Sequence, residues 1–172
     1  MKATMFITKV IVLVTLFLSV CGLASAAKSN DGERSFINND VLKDGKVVSR
    51  EVYVLEKGSS TLSPVKKFEY AYDETQQLKE KTTHVWNPSA AKWMKESLLS
   101  ISRTGTETIV EYALWVSNKK EFAPSEKFVY VTNAEDNMIT QYSYKMNKRT
   151  KEWELQKNAK VPAIDNIFAK AE

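Results

Sequence analysis

The sequence predicts an all-β fold: an antiparallel meander of about nine strands built from hairpin repeats of about 30 residues, curled as an open sheet or closed in a barrel-like way. Three observations carry that expectation. Apolar and polar residues alternate with a period of two in the clearest runs, such as Val110, Tyr112, Leu114 and Val116 against Glu111, Ala113, Trp115 and Ser117. Turn-forming residues break these runs at short intervals. Segments 60 residues apart also match, with Pro64, Lys67, Phe68 and Tyr70 repeated as Pro124, Lys127, Phe128 and Tyr130.

The match continues without a gap from Leu78 to Met138, Trp86 to Met146, Asn87 to Asn147 and Trp93 to Trp153. Halving the offset brings in the segment between. It lines up Thr82, Tyr112 and Tyr142, then His84, Leu114 and Tyr144, then Trp86, Val116 and Met146. Phe68, Leu98 and Phe128 form another column, and Val52 and Val54 extend the pattern backwards. Columns kept through several copies predict one buried aromatic seam shared by all the hairpins.

Taken in order, the chain begins with three parts that read as a signal peptide over residues 1–26. Lys2 and Lys9 give the positive start, Val10 to Cys21 is uncharged and apolar, and Ala24-Ser25-Ala26 offers small residues before a cut after Ala26. The apolar run is shorter than the roughly 20 residues that span a bilayer. Leu18-Ser19-Val20-Cys21 loosely resembles a bacterial lipobox, which would make Cys21 a lipid anchor. Val20 is larger than the small residue such a box wants, so cleavage at Ala26 is the preferred reading. The expected location is exported: periplasmic, extracellular or on the cell surface.

Residues 27–35 are polar and read as a flexible segment. The repeat β domain is expected over 36–158. Lys43-Asp44-Gly45-Lys46 is a two-residue hairpin signal, because Asp-Gly tolerates the positive φ angles of a type I′ turn. Later runs are broken at Glu56-Lys57-Gly58-Ser59, Asn87-Pro88-Ser89, Thr104-Gly105, Ser117 to Lys120, Asn133 to Asn137 and Asn147-Lys148-Arg149. Between them, Phe68, Tyr70 and Tyr72 alternate with Lys67, Glu69 and Ala71. Residues 159–172 form a C-terminal tail in which one short helical turn is expected after Pro162.

Composition narrows the chemistry. At 172 residues, 43% hydrophobic and 27% charged, the chain is one domain's worth of ordinary globular sequence. The net charge of +4 falls to +2 without Lys2 and Lys9, and its lysines are not gathered into a nucleic-acid footprint. Cleavage after Ala26 would remove the one cysteine, so a packed core must stabilise the domain without disulfides. The aromatic residues beyond the leader can supply that core, each worth about 1.5–3 kcal/mol when buried.

No catalytic set stands out, and the expectation is a non-enzyme without cofactor or metal. His84 is the one histidine, too few for a multi-histidine zinc site, and no Gly-x-Ser-x-Gly elbow or phosphate-binding glycine loop occurs. A carboxylate-pair hydrolase could draw on Asp73, Glu74, Glu107, Glu111, Glu135 and Asp136, most of which sit in expected turns. Glu135-Asp136-Asn137 lacks the spacing of a calcium loop.

Trp86, Trp93, Trp115 and Trp153 are the candidate ligand-binding residues. A tryptophan at a strand edge either caps the core or offers a flat apolar face to a sugar or an aliphatic partner. The expected function is a secreted β scaffold binding a glycan or an envelope or extracellular protein, with no nucleic-acid partner. The alternative is a structural protein that assembles through its edge strands.

The leader, the Phe68-Glu69-Tyr70-Ala71-Tyr72-Asp73 type of strand, and the Trp86-Asn87 to Lys92-Trp93 segment resemble an uncharacterised secreted family of Bacteroides-type bacteria, known only as a domain of unknown function. Tyr72-Asp73 followed by a polar turn and Leu78 also resembles the YD hairpin repeats of Rhs-type surface proteins. The resemblance implies export and a role in binding or envelope interactions, and it brings no catalytic residues.

Overall fold

A computed structural model describes residues 34–133, 135 and 137–162. The expected cleavage site at Ala26, the lipobox Cys21 and the helical turn after Pro162 lie outside the described residues. Nine strands run in chain order: β1 (Ser35–Lys43), β2 (Lys46–Leu55), β3 (Leu62–Tyr72), β4 (Leu78–Asn87), β5 (Lys92–Thr104), β6 (Glu107–Val116), β7 (Glu121–Asn133), β8 (Met138–Met146) and β9 (Trp153–Pro162). Each pairs antiparallel with its chain neighbours alone, in the order β1 to β9. The sheet is therefore a single open meander with β1 and β9 as free edges, not a barrel.

The turns have the chemistry their backbones demand. Asp44 and Gly45 both take positive φ, 52° and 75°, as a type I′ hairpin requires. Gly105 has φ 57° and begins the two-residue link from β5 to β6. At the β3–β4 turn Asp73 Oδ1 accepts hydrogen bonds from Thr75 N, Thr75 Oγ1 and Gln77 N at 2.9, 2.7 and 2.9 Å. Asn87 and Asn147 act alike in their own turns, the first accepting from Ala90 N and the second from Arg149 N and Thr150 N.

Strand register fixes which side chains share a face. One face carries the core: Ile101, Val110, Tyr130 and Ile139 are buried, with Leu78, Leu99, Phe128 and Val161 packed against them. Tyr130 and Ile139 are only 2% exposed. A flat single layer cannot bury a side chain so far, so the sheet curls around this face. On the same face the Lys81 ammonium lies 4.3 Å from the Phe68 ring centroid. Arg103 reaches across to donate to the Leu78 carbonyl at 3.0 Å and stands 3.8 Å from Asp73 Oδ2.

The expected single aromatic seam is corrected here. Leu99 pairs with both Lys81 and Tyr112, so Tyr112 lies on the core face. Thr82 pairs with Leu98 and lies on the opposite face, and Tyr142, opposite Val129, lies there too. Leu98 and Leu114 fall out of their columns in the same way. The cause is one short connection: Gly105-Thr106 joins β5 to β6 in two residues, whereas Asp73 to Gln77 joins β3 to β4. The middle copy therefore runs one residue out of step, and its counterpart of Trp86 is Trp115 rather than Val116. At the 60-residue offset Phe68 and Phe128 share the core face, as do Tyr70 and Tyr130. Leu78 and Met138 part company, because an extra residue at Lys79 turns Leu78 to the core side.

Candidate functional site

The face opposite the core carries a row of aromatic side chains beside the turns at one end of the sheet. Four hairpins turn there: β2–β3, β4–β5, β6–β7 and β8–β9. Directly opposed pairs next to those turns are Leu55 with Leu62, Trp86 with Trp93, Trp115 with Phe122, and Met146 with Trp153. The Trp86 and Trp93 rings meet edge to face, with centroids 5.1 Å apart and planes at 71°. Trp115 and Phe122 do the same at 5.0 Å and 67°. Such pairs contribute about 0.5–1.5 kcal/mol beyond their area, which fixes the ring orientations.

Lysines lie between the rings. Lys95 of β5 places Nζ 4.8 Å from the Trp115 ring and 5.5 Å from Phe122. Lys127 of β7 places Nζ 4.9 Å from Tyr144 and 4.8 Å from Trp153. A lysine from one hairpin thus crosses the aromatic group of the next. Lys67, the residue 60 before Lys127, is engaged differently, with Nζ 3.2 Å from Glu69 Oε1.

His84 sits beside the row, directly opposite Lys67 on one side and Lys95 on the other. It is buried, with Nε2 3.8 Å from Glu69 Oε2. Burial is the main reason its pKa lies below the ordinary 6.5; Glu69 draws it back up, and the Lys67 and Lys95 charges push it down again. The imidazole is therefore neutral around pH 7. Among the described residues no three His, Cys, Asp or Glu side chains gather as a metal site.

All four tryptophans singled out in the sequence fall in this row and are half-buried. The structure brings Trp86 onto Trp93, Trp115 onto Phe122, and Trp153 under Lys127. Sequence reasoning missed Phe122, Lys95 and Lys127. A seven-residue spacing was the available signal, since Trp86 to Trp93, Trp115 to Phe122 and Met146 to Trp153 all show it. Of the acids named for hydrolysis, Asp73 is taken up by its own turn, and Asp136 lies outside the described residues.

Residues 1–133 match the family of unknown function DUF3836. The chain belongs to this family. The expected Bacteroides-type relationship is also seen in a DUF3836-like crystal structure, a protein of unknown function from Bacteroides fragilis NCTC 9343 solved at 1.90 Å. It is 44% identical with a TM-score of 0.67, and the match covers 75% of this chain and 94% of that one. A DUF3836 protein from Bacteroides vulgatus ATCC 8482 is 26% identical, TM-score 0.48, over 52% of this chain and 89% of its own. One from Parabacteroides distasonis ATCC 8503 is 17% identical, TM-score 0.49, over 76% and 93%. No curated protein matches the chain. The likeness to YD repeats finds no support. Tyr72 and Asp73 serve this DUF3836 sheet locally, the Tyr72 hydroxyl donating to the Val47 carbonyl at 2.8 Å and Asp73 holding its own turn.

Proposed function

We propose that this DUF3836 protein is an exported, non-enzymatic β scaffold that binds an extracellular polysaccharide along the row Trp86–Trp93, Trp115–Phe122 and Trp153. The observation that carries this reading is the spacing of the row. Successive aromatic groups stand two strands apart, about 10 Å at normal strand spacing. That is close to the length of a disaccharide in an extended chain, so alternate sugars would meet rings held in fixed orientation. The ammonium groups of Lys95 and Lys127 favour a glycan bearing carboxylates or sulfates, at the cost of displacing the lysines from the rings they cover.

Export rests on the three-part leader ending at Ala26. The non-enzymatic reading rests on the side chains themselves, since His84 is packed neutral between two lysines and Asp73 is occupied by its turn. Affinity electrophoresis in gels containing acidic or neutral polysaccharides tests the proposal. Acidic polymers should retard the protein, and Trp93→Ala or Trp153→Ala should each weaken binding about tenfold, as for a ring at the centre of an interface. No retardation by any acidic polymer, or retardation untouched by both substitutions, would overturn it.

A further inference from the structure

The two edges of the sheet are built differently, and only one is guarded. Exposed edge strands are normally blunted by lysine, proline or charge, because their free backbone groups invite another strand. On β9 the guards are present: Glu154, Lys157, Lys160 and Pro162 are exposed along it. On β1 they are nearly absent. Four large apolar side chains lie open there, Phe36 at 62%, Ile37 at 41%, Val41 at 53% and Leu42 at 62% exposure. Its one acid, Asp40, is held by two hydrogen bonds of 2.7 Å from Arg50 Nε and Nη2. The strand pairs with β2 along its whole length, so it is presented as a straight, complete template.

The sequence of β1 is also self-complementary. Around Asn39 it reads Phe36-Ile37-Asn38-Asn39-Asp40-Val41-Leu42, apolar at both ends and polar at the centre. Laid antiparallel against a second copy with Asn39 at the two-fold axis, Phe36 falls opposite Leu42, Ile37 opposite Val41, and Asn38 opposite Asp40. Every apolar residue then meets an apolar one on its own face, and Asp40 reaches the dyad with its charge already matched. A shift of one residue in either direction would set Ile37 against Asp40 or Asn38 against Leu42.

From this we infer that the partner of the β1 edge is a second copy of this chain, joined β1 to β1 in antiparallel register about Asn39 to give one continuous eighteen-stranded sheet. The two-fold axis stands perpendicular to the sheet, so both tryptophan rows face the same side, at opposite ends of the dimer. The interface is a single strand on each side, which places it among weak, concentration-dependent contacts. The inference rests on the edge alone and does not depend on the polysaccharide reading.

The protein, expressed with its own leader and purified as the cell processes it, should be followed by sedimentation equilibrium up to millimolar concentration. A monomer–dimer equilibrium is expected. Ile37→Lys and Leu42→Lys should each weaken it at least tenfold while leaving cooperative thermal unfolding in place, because both side chains are already exposed. Leu155→Lys, on the guarded edge, should leave it unchanged. Under mild oxidation Asn39→Cys should yield a disulfide-linked dimer beyond any background from the parent protein, whereas Asn158→Cys on β9 should not. A monomer at every concentration, equal sensitivity to Leu155→Lys, or cross-linking at position 158 in place of 39 would each overturn the inference.

Discussion

Lys127 on β7 holds its ammonium 4.8 Å from the ring of Trp153, two strands away on β9, with the Tyr144 ring of β8 at 4.9 Å between them. One side chain thus links three strands across the surface face. A cation over an aromatic ring contributes about 0.5–1 kcal/mol where solvent is near. A double-mutant cycle of Lys127→Met and Trp153→Ala should show a coupling of that size in chemical denaturation. Independent, additive effects would mean the contact contributes nothing.

The core face should be far less forgiving. Ile139 is 2% exposed at the heart of the buried cluster, so Ile139→Ala should destabilise the domain by about 2–5 kcal/mol through lost burial and the cavity left behind. Leu155, 53% exposed on β9, should tolerate alanine within about 0.5 kcal/mol. Urea midpoints of the two variants read the contrast directly. Comparable losses would mean that the sheet does not depend on this one curled cluster.

Three turns beside the tryptophan row end in a residue other than glycine with positive φ: Ala91 at 47°, Lys120 at 55° and Lys151 at 62°. A side chain in that region costs about 1–2 kcal/mol, part of which glycine recovers after its own entropy cost. Ala91→Gly should therefore stabilise the protein by about 0.5–1 kcal/mol, read as a raised Tm. A lowered Tm would show that the Ala91 methyl makes contacts worth more than the backbone strain.

Acid should weaken the fold in two stages. His84 has its pKa depressed below 6.5, chiefly by burial, so the unfolded chain takes up a proton that the native state resists. Stability is then unaffected above that value and falls as pH drops from 6.5 towards the lower native pKa. Asp40 lies below its ordinary 3.8 because Arg50 donates to it. Asp73 does too, since burial, which raises it, is outweighed by the bonds from Gln77 and Thr75 and by the Arg103 charge. Their contribution is complete above 3.8 and is lost as pH falls through the native values. Denaturation midpoints across pH should lose the first slope in His84→Gln and part of the second in Asp40→Asn. Unchanged slopes in both variants would contradict these assignments.

Much of the sheet was legible in local chemistry. The period of two in Val110 to Val116 and the turn residues at Asp44-Gly45 and Asn87-Pro88 are decided by a few neighbouring atoms, so they gave the strands and their order. Facing was harder, because it depends on counts that accumulate. Register shifts occur in every strand pair except β5–β6 and β7–β8, and each inserts a residue that no alternation announces. Together with the two-residue Gly105-Thr106 link, they put Tyr112 and Tyr142 on opposite faces. The tryptophans were visible as residue types. Their pairing, and the lysines laid across them, come from neighbours on other strands and were not.

The strictly consecutive strand order has an energetic consequence. Since no strand leans on one distant in the chain, the free energy should accumulate link by link, as along a one-dimensional lattice, and unravelling can begin at either margin. Closing each link requires only a short stretch of chain, which favours rapid zipping during folding. A molecule of this kind tolerates fraying of an outer hairpin while its interior rungs persist, and its cooperativity is concentrated where β5 to β8 enclose Ile101, Val110, Tyr130 and Ile139.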